Sequence, residues 1–460
     1  MNMKDIEVFY FLGIGGIGMS ALARYFRSQG KEVMGYDRTS TPLTTELEME
    51  GIPVHFDDTV LEIPNIVKFI DKSKVIVVYT PAIPKDSNEL NWFHENGFTL
   101  MKRSQVLGLI TENSKTIAVA GTHGKTTTSA MIAHILTHCG QGCNAFLGGI
   151  TTNYKTNLLL SPNSEWTVVE ADEYDRSFLT LSPTLSVITS MDADHLDIYG
   201  SHEYMIESFN LFAQKLKTGG VLMCKSDLPL VDEKIDMGVA IYSYTLNDSA
   251  DFRGRDIVIE EGKYFFTFQS PETKWEKLEL GLPGRHNVEN AVAACAIAME
   301  CGISEEQVRA ALKSFLGVKR RFEYHIRRPD FVLIDDYAHH PAELSACLNS
   351  VRELYPTQKI TGVFQPHLFT RTRDFADEFA KSLELLDEVI LLPIYPAREL
   401  PLPGIDSQML LDKISNRPKI LVQKSDLLAE LRSKSREVIV MLGAGDIDAL
   451  VPVVANAYSA

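Results

Sequence analysis

The 460-residue sequence lacks the features that mark several classes of protein. Its six cysteines form no C-x-x-C pair and no zinc pattern with nearby histidines, which indicates reduced thiols rather than a disulfide framework. No run approaches the roughly 18 apolar residues of a membrane span, and no basic, apolar leader opens the chain. We therefore expect a soluble, cytoplasmic protein that makes no use of a membrane.

Basic residues are also few relative to acidic ones. The 45 lysines and arginines stand against 61 aspartates and glutamates, which gives a net charge of −16. This balance argues against general binding of nucleic acid or of anionic membranes. It does not exclude an anionic small molecule, because a glycine-rich loop at a helix N-terminus binds phosphate locally. At roughly 150 residues per domain, the length predicts about three domains.

What the chain does contain is a series of apolar strand patterns, each followed by a turn and a helical pattern. This alternation predicts an α/β fold with parallel sheets and crossover helices. Between Ser243 and Leu280, apolar and polar residues alternate, which predicts antiparallel strands appended to the parallel sheet. We place the domains at 1–105, 106–318 and 319–460. The predicted parallel strands are 7–12, 31–36, 74–79, 116–120, 167–170, 185–190, 331–334, 360–364, 389–392 and 437–442.

A glycine-rich loop of the form G-x-G-x-x-G follows the first predicted strand and opens a helical pattern. An acidic residue lies about twenty positions on, at the end of the next strand. Such glycines let the backbone approach a diphosphate at the helix N-terminus. The pattern predicts a site for a dinucleotide or a nucleotide sugar, and its alternative is a tight turn without a ligand. The residues assigned to this site are Gly13, Gly15, Gly16, Ile17, Gly18 and Asp37.

A second loop, which is more specific, follows the predicted strand 116–120. It is a shortened P-loop whose backbone N–H groups would cradle phosphates, while Lys125 would neutralise their charge. Thr126 would lie near a magnesium ion, because its hydroxyl is a hard oxygen ligand. A structural role without nucleotide is the alternative. The residues assigned to ATP here are Gly121, Thr122, His123, Gly124, Lys125, Thr126 and Thr127.

Acidic and histidine side chains follow the next two predicted strands. Glu170 ends one of them, and His195 lies among aspartates after the other. Both are candidate magnesium ligands, because the carboxyl ends of neighbouring parallel strands meet at one edge of the sheet. Helix N-capping is the alternative for Glu170, and a purely structural histidine is the alternative for His195.

The two loops together narrow the function. A dehydrogenase or a nucleotide-regulated binding protein needs the first loop and not the second, whereas a simple kinase or GTPase needs the second and not the first. An enzyme that uses ATP to activate a nucleotide-linked substrate needs both. Polar residues also cluster after the later strands, where open α/β sheets hold ligands. They are Asn287, Asn290, Arg321, Asp336, Tyr337, His340, His367, Arg371 and Arg398, and N-capping is an alternative for Asn287.

The ordered motifs resemble those of the Mur ligases over essentially the whole chain. They are Gly-Ile-Gly-Gly-Ile-Gly-Met-Ser, Gly-Thr-His-Gly-Lys-Thr-Thr-Thr, Glu-Ala-Asp-Glu, Asp-His-Leu-Asp, Arg-His-Asn-x-x-Asn, Asp-Asp-Tyr-Ala-His-His-Pro and Phe-Gln-Pro-His. The resemblance implies an N-terminal Rossmann-like domain for the UDP substrate, a central P-loop-type ATPase domain, and a C-terminal Rossmann-like domain for the amino acid.

The resemblance also implies a reaction. ATP would phosphorylate the lactyl carboxylate of UDP-N-acetylmuramate, and the amine of L-alanine would attack the acyl phosphate to give the amide of a peptidoglycan precursor. The alternative is the murein-recycling reaction, in which a preformed tripeptide replaces L-alanine. The implied cofactors are ATP and Mg²⁺, and we expect a monomer or a weak homo-oligomer.

Residue roles follow from the same resemblance. Lys125, His340 and Arg371 are the implied catalytic residues, and Thr126, Glu170 and His195 are the implied magnesium ligands. Asn287 and Asn290 match the adenine motif, while Arg321 and Asp336 match residues that reach ATP from the C-terminal domain. The implied amino-acid and acyl-phosphate region comprises Tyr337, His340, His367, Arg371 and Arg398.

Two positions depart from the pattern of related ligases. Asn210 stands where several relatives carry a carbamylated lysine, so no carbamate is expected there. Leu368 stands where many relatives have an arginine directly after Phe-Gln-Pro-His. The carboxylate contact of that arginine would then fall to Arg371 or Arg398.

Overall fold

The computed structural model describes residues 3–194, 196–230, 235, 238–247, 249–397, 399–415 and 417–459. The chain forms two compact units. The first comprises Met1–Arg253, Gln269–Thr273 and Val292–Ala311, and the second comprises Gly254–Phe268, Lys274–Ala291 and Leu312–Ala460.

The first sheet of the first unit is parallel and has the strand order β3-β2-β1-β4-β5. Strand β1 reads VFYFL and is buried throughout, as expected for a strand covered on both faces. The strands are β1 (Val8–Leu12), β2 (Glu32–Tyr36), β3 (Val54–His55), β4 (Val75–Tyr79) and β5 (Thr99–Lys102). The helices are α1 (Ile17–Ser28), α2 (Pro42–Met49), α3 (Asn65–Phe69), α4 (Asn88–Glu95) and α5 (Arg103–Glu112).

The second sheet of this unit places β6 between β10 and β9, in the order β12-β11-β10-β6-β9-β7-β8. The strands are β6 (Lys115–Ala120), β7 (Asn144–Phe146), β8 (Leu158–Leu159), β9 (Trp166–Glu170), β10 (Leu185–Ile188), β11 (Val221–Lys225) and β12 (Ala240–Thr245). The helices are α6 (Lys125–His138), α7 (Leu196–Tyr199) and α8 (His202–Ala213). Because β6 pairs in parallel with β9 and with β10, the loops after these three strands meet at one edge.

The start of the predicted antiparallel region is wrong. The segment from Ser243 was predicted to be antiparallel, but Ser243 lies in β12, which pairs in parallel with β11. The first residues of the following strand, Phe252 and Arg253, also pair in parallel with β12. The side chains of β12 are partly buried from Ala240 to Ser243, so an alternating pattern does not distinguish an outer parallel strand from an antiparallel one.

In the second unit, the sheet has the order β16-β17-β21-β18-β19-β20, and only its β16–β17 pair is antiparallel among the pairs described. The strands of this sheet are β16 (Glu323–Arg327), β17 (Val332–Asp336), β18 (Ile360–Phe364), β19 (Glu388–Leu391), β20 (Lys419–Leu421) and β21 (Val438–Leu442). The helices of this unit are α11 (Pro341–Leu354), α12 (Phe369–Asp374), α13 (Ala376–Leu383), α14 (Ser407–Lys413), α15 (Leu427–Arg432) and α16 (Val451–Tyr458).

The remaining elements lie outside this sheet. The strands are β13 (Phe252–Glu260), β14 (Lys263–Gln269) and β15 (Lys274–Leu280). The helices α9 (Arg285–Glu300) and α10 (Glu305–Ser314) have residues in both units.

The buried residues of the central strands form the cores of both units. Strands β17, β18 and β21 are buried at every position, so their side chains fill the space on both faces of the second unit's sheet. In the part of the chain that the structure describes, no helix combines the length and apolar character needed to cross a bilayer.

Candidate active site

The first glycine loop joins β1 to α1 and leaves the helix N-terminus open. Gly13 has a φ of +84°, and the N-cap residue Gly16 supplies no side-chain hydrogen bond. The backbone N–H of Gly15 donates to Asp37 Oδ2 at 2.8 Å. A Cβ atom at Gly15 would lie 2.7 Å from Thr44 Cγ2, so no other residue fits without movement. The glycines thus leave the loop backbone accessible to a ligand at the N-terminus of α1, as a diphosphate site requires.

A cavity of about 740 Å³ lies against this loop. All six residues that the sequence assigned to this site line the cavity: Gly13, Gly15, Gly16, Ile17, Gly18 and Asp37. The other charged side chains in its lining are those of Arg38, Asp58, Asp86 and Arg103.

Arg103, which the sequence analysis did not select, approaches the same helix end. A Cβ atom at Gly18 would lie 2.9 Å from Arg103 Nη1, so the glycine makes room for the guanidinium. Arg103 Nη2 also lies 3.7 Å from the Asp172 carboxylate, which follows β9. The arginine thereby connects the cavity wall to the acidic segment beside the second loop. Its only sequence signal was a basic residue at a predicted domain boundary.

The second glycine loop joins β6 to α6. Gly121 and Gly124 have φ values of +136° and +83°, which are accessible to glycine without strain. Gly124 is the N-cap of α6 and provides no side-chain hydrogen bond, so the first N–H groups of the helix point out of the loop. Thr126 and Thr127 are buried in the first turn. This strand, loop and helix form the shortened P-loop that the sequence predicted.

Lys125 is held at the start of α6 by several partners. Its ammonium group donates to Gly121 O at 2.6 Å and to Glu173 Oε1 at 2.9 Å. Burial lowers the pKa of Lys125, but the carboxylates of Glu173, Glu170 and Asp172 raise it more, so the net pKa lies above its ordinary value. The lysine is therefore charged. Glu173 is almost fully buried, and the sequence analysis gave it no role although it ends the Glu-Ala-Asp-Glu motif.

Thr126 and Glu170 form the oxygen-rich side of this loop. The Thr126 hydroxyl donates to Glu170 Oε1 at 3.1 Å, and Gly148 N donates to Glu170 Oε2 at 3.0 Å. A hydroxyl and a carboxylate this close are hard oxygen donors, which fit a magnesium ion bound to phosphates. The structure therefore brings together two of the three predicted ligands. The third, His195, lies outside the described residues.

The segment after β10 supports the opposite side of the loop. Ser190 Oγ accepts from the backbone N–H of His123 at 2.8 Å and lies 2.9 Å from Thr122 Oγ1. The Thr122 hydroxyl in turn accepts from Asp192 N at 3.1 Å. His123 Nε2 lies 3.6 Å from Asp192 Oδ2. These bonds fix the backbone of the loop at Thr122 and His123.

In the second unit, the two predicted adenine-binding asparagines lie on α9 and are buried. Asn287 Nδ2 donates to Pro283 O at 2.6 Å, and Asn290 Nδ2 donates to Asn287 Oδ1 at 3.3 Å. The alternative assigned from the sequence, N-capping by Asn287, is not what the side chain does. Its amide instead bonds the carbonyl four residues earlier.

Arg321 and Asp336 lie close to each other beside the aromatic ring of Tyr337. The Arg321 guanidinium lies 4.9 Å from the ring centroid of Tyr337, and Arg320 lies 5.1 Å from it. Asp336 accepts from Phe322 N at 2.7 Å. Burial raises the pKa of Asp336 to about 6, although the nearby Arg321 opposes that rise. A cationic and aromatic surface of this kind suits a planar or phosphorylated ligand.

His340 begins α11 as its N-cap and accepts from Ala342 N at 3.4 Å. The neighbouring His339 lies 3.2 Å from the Glu343 carboxylate. Burial lowers the pKa of His339 to about 4, so its ring is neutral at pH 7. Of these two histidines, the one that the sequence selected has a clear capping role.

His367 and Arg371 meet after β18. Arg371 Nη1 lies 3.4 Å from His367 Nδ1, and the His367 ring stacks on Tyr395 with centroids 5.7 Å apart. Arg371 is only 8% exposed. The carboxylate of Glu399, another residue that sequence reasoning missed, binds the backbone that connects them. Arg398, also predicted here, lies outside the described residues.

Comparison of the chain with known proteins identifies family models and relatives that it matches. Three family models match successive segments: "Mur ligase family, catalytic domain" at residues 8–115, "Mur ligase middle domain" at 119–298, and "Mur ligase, glutamate ligase domain" at 320–446. The UDP-N-acetylmuramate–L-alanine ligase of Cytophaga hutchinsonii is 50% identical over 456 residues, which covers 98% of this chain and 97% of that protein. The enzyme of the same name from Porphyromonas gingivalis is 51% identical over 444 residues, covering 96% and 97%.

Solved structures give the same result. The crystal structure of UDP-N-acetylmuramate–alanine ligase from Thermotoga maritima matches with a TM-score of 0.82 and 28% identity, covering 98% of this chain and 99% of that one. A murein peptide ligase from Psychrobacter arcticus shares the fold, with a TM-score of 0.69 and 22% identity over 98% of both chains. The α/β fold class with three domains, predicted from the sequence, is confirmed. The exact domain limits stay a prediction.

Proposed function

The chain belongs to the Mur ligase family, and we propose that it catalyses the ATP-dependent joining of L-alanine to the lactyl carboxylate of UDP-N-acetylmuramate. One observation carries this choice within the family. Relatives named for that reaction are about half identical to the chain over nearly its whole length. The reaction supplies a precursor for peptidoglycan and hence for the cell wall.

The two glycine loops support a reaction with two phosphorylated substrates. The cavity beside Gly13–Gly18 is the site we assign to the UDP moiety, with the diphosphate at the N-terminus of α1. The loop before α6 is the site we assign to the ATP phosphates, which the charged Lys125 would neutralise. Both helix ends lack side-chain caps, so their N–H groups are available to phosphate oxygens.

The chemistry requires an activated carboxylate, because a free carboxylate is a poor acceptor for an amine. Transfer of the γ-phosphoryl group to the lactyl carboxylate creates the leaving group, and attack by the alanine amine then expels phosphate. Lys125 would stabilise negative charge on the phosphoryl group as it moves. His340, His367 and Arg371 stay the predicted residues of the amino-acid and acyl-phosphate region, together with Tyr337 and Arg398. Asn287, Asn290, Arg321 and Asp336 stay predicted nucleotide contacts.

A magnesium ion fits the donors beside the ATP loop. Thr126 Oγ1 and Glu170 Oε1 are hard oxygen atoms 3.1 Å apart, and His195 stays the predicted third ligand. When bound, the ion would neutralise phosphate charge. The hydrogen bond from Gly148 N holds Glu170 in place for this role.

Asn210 stands where several related ligases carry a carbamylated lysine. Its side-chain amide donates to the carbonyl of Ile206 at 2.9 Å, and an asparagine forms no carbamate.

We also propose a cytoplasmic location, a monomeric or weakly associated state, and a role in cell shape and division through the cell-wall precursor. The acidic charge of −16 supports one further part of the proposal, the absence of nucleic-acid and membrane partners.

A nucleophile comparison tests the proposal. The purified protein is mixed with UDP-N-acetylmuramate, ATP and Mg²⁺, and ADP release is measured with L-alanine and with L-alanyl-γ-D-glutamyl-meso-diaminopimelate. We expect turnover with L-alanine and little with the tripeptide. Preference for the tripeptide would assign the murein-recycling reaction instead, and NAD(H) binding in the first cavity with no ligation would assign neither.

A further inference from the structure

Glu399 joins two loops at the carboxyl edge of the second unit's sheet. One loop follows β18 and carries His367, and the other follows β19 and carries Tyr395. Leu368 N donates to Tyr395 O at 3.0 Å, and Tyr395 N donates to Pro366 O at 2.8 Å, so the two backbones pair side by side. Glu399 lies at the end of the second loop and reaches back to the first.

The Glu399 carboxylate caps helix α12 from outside that helix. Its Oε2 atom accepts from Phe369 N at 2.6 Å and from Thr370 N at 3.1 Å, and its Oε1 atom accepts from the Thr370 hydroxyl. The residue before the helix, Leu368, offers no side-chain cap. The first N–H groups of α12 therefore depend on a carboxylate that is distant in sequence.

The backbone that Glu399 holds is in an uncommon conformation. Leu368 has a φ of 69° and a ψ of 139°, a backbone conformation that residues other than glycine rarely adopt. Such a conformation persists only where surrounding contacts fix it, and it is often found at functional sites. Here the contacts from Tyr395 and Glu399 fix it. The turn sets the direction in which His367 and Arg371 leave the chain.

We propose that Glu399 is a positioning residue for the amino-acid substrate, and that it acts by holding the turn at Leu368 so that His367 and Arg371 keep their geometry. This rests on the proposed function, in which His367 and Arg371 belong to the amino-acid region and Arg371 is one of the two arginines predicted to receive the substrate's carboxylate. Arg371 is nearly buried and lies 3.4 Å from His367 Nδ1, so a shift of the turn moves both groups. Glu399 itself does not contact the substrate.

The test compares three variants at this contact. Glu399→Ala removes every acceptor, and we expect the KM for L-alanine to rise about tenfold, because small misplacements of binding groups weaken catalysis strongly. Glu399→Gln keeps an amide oxygen for the two N–H groups and offers an amide N–H to Thr370, so it should restore most of the affinity. Thr370→Val removes one hydroxyl donor and should raise that KM about threefold.

Matched controls separate positioning from loss of folding. Glu378→Ala removes an exposed carboxylate from α13 in the same unit and should leave the KM for L-alanine unchanged. For Glu399→Ala, the KM values for ATP and UDP-N-acetylmuramate should stay within about twofold of the wild type. The midpoint of thermal unfolding is measured for every variant, so that kinetics are compared only among folded proteins.

Three results would overturn the inference. The KM for L-alanine could be unchanged in Glu399→Ala, or the KM values of all substrates could rise together, or Glu399→Gln could be as defective as the alanine variant. The last result would indicate a direct charge contact with substrate. Failure of the proposed function would look different, because the wild-type protein itself would then show no L-alanine-dependent release of ADP.

Discussion

Substitution of Gly148 by alanine should impair the proposed ATP site by displacing the Glu170 carboxylate. The Cβ atom would lie 2.3 Å from Glu170 Oε2 and 2.6 Å from both Oε1 and the carboxyl carbon. Contacts of a real Cβ atom begin near 3.0 Å, so the nearest oxygen must retreat by about 0.7 Å. All three carboxylate atoms are too close, so rotation of the group cannot relieve the clash. The Glu170 carboxylate must therefore leave its place beside Thr126.

A displacement approaching 1 Å at a binding group lowers turnover by up to roughly a hundredfold. We expect kcat to fall about 10- to 100-fold, which is about 1.4–2.7 kcal/mol of transition-state stabilisation. A higher Mg²⁺ concentration should be needed for half-maximal rate. The affinity for UDP-N-acetylmuramate should be unchanged. Steady-state release of ADP across a Mg²⁺ titration measures the first two effects, and calorimetry measures the third.

A double variant tests whether Gly148→Ala acts through the Glu170 carboxylate. If Gly148→Ala acts through the Glu170 carboxylate, then adding it to Glu170→Gln should lower the rate little further, since effects on one shared group are not additive. Gly219→Ala is the control: it places a Cβ atom in open space at a φ of +80°, so it should lower stability slightly and leave kcat unchanged. Additive losses in the double variant, or an unaltered rate in Gly148→Ala, would refute the reasoning.

Three further perturbations test other parts of the account. Lys125→Ala should abolish phosphoryl transfer while UDP-substrate binding, followed by calorimetry, stays within about twofold; loss of both in a folded variant would contradict separate sites. Gly15→Ala should raise the KM for UDP-N-acetylmuramate about tenfold and spare that for ATP, because its Cβ atom would lie 2.7 Å from Thr44 Cγ2. Burial raises the pKa of Glu89 from 4.5 to about 8, so its contribution to stability is complete below pH 4.5 and is lost as the pH rises through about 8. In the wild type, the free energy of unfolding should fall by at most about 1.4 kcal/mol per pH unit because of this group, and Glu89→Gln should remove that fall. Urea unfolding between pH 5 and 9 measures it in both proteins. Equal slopes of the unfolding free energy against pH would show that Glu89 is already ionised.

The sequence was enough to predict ten of the parallel strands and the loops that follow them, but it did not predict β3, β5, β7, β8, β11 or β20. The strand 360–364 was predicted with the bounds found in the structure, and 116–120 was predicted within one residue of β6 (Lys115–Ala120). Continuous apolar runs followed by glycine are strong local signals, because a buried parallel strand needs the first and a phosphate-binding turn needs the second. The same local chemistry identified Lys125 and Glu170.

Contacts between distant residues were not predictable in this way. Glu173 binds Lys125 across 48 residues, and Glu399 binds Thr370 across 29. Glu173 ends the Glu-Ala-Asp-Glu motif, yet the sequence assigned neither carboxylate to its partner. Their partners depend on which strands lie side by side, and strand order follows from tertiary packing. The prediction of antiparallel pairing from Ser243 failed at β12 for the same reason, since periodicity does not encode the direction of a neighbouring strand.

The most direct test of the ligation itself follows an oxygen atom. UDP-N-acetylmuramate labelled with ¹⁸O in the lactyl carboxylate is incubated with the protein, ATP, Mg²⁺ and L-alanine, and the released phosphate is analysed by mass spectrometry. Because the carboxylate oxygen becomes the bridge of an acyl phosphate, one ¹⁸O atom should appear in the phosphate for each amide formed. Amide formation with unlabelled phosphate would contradict activation of the carboxylate by ATP.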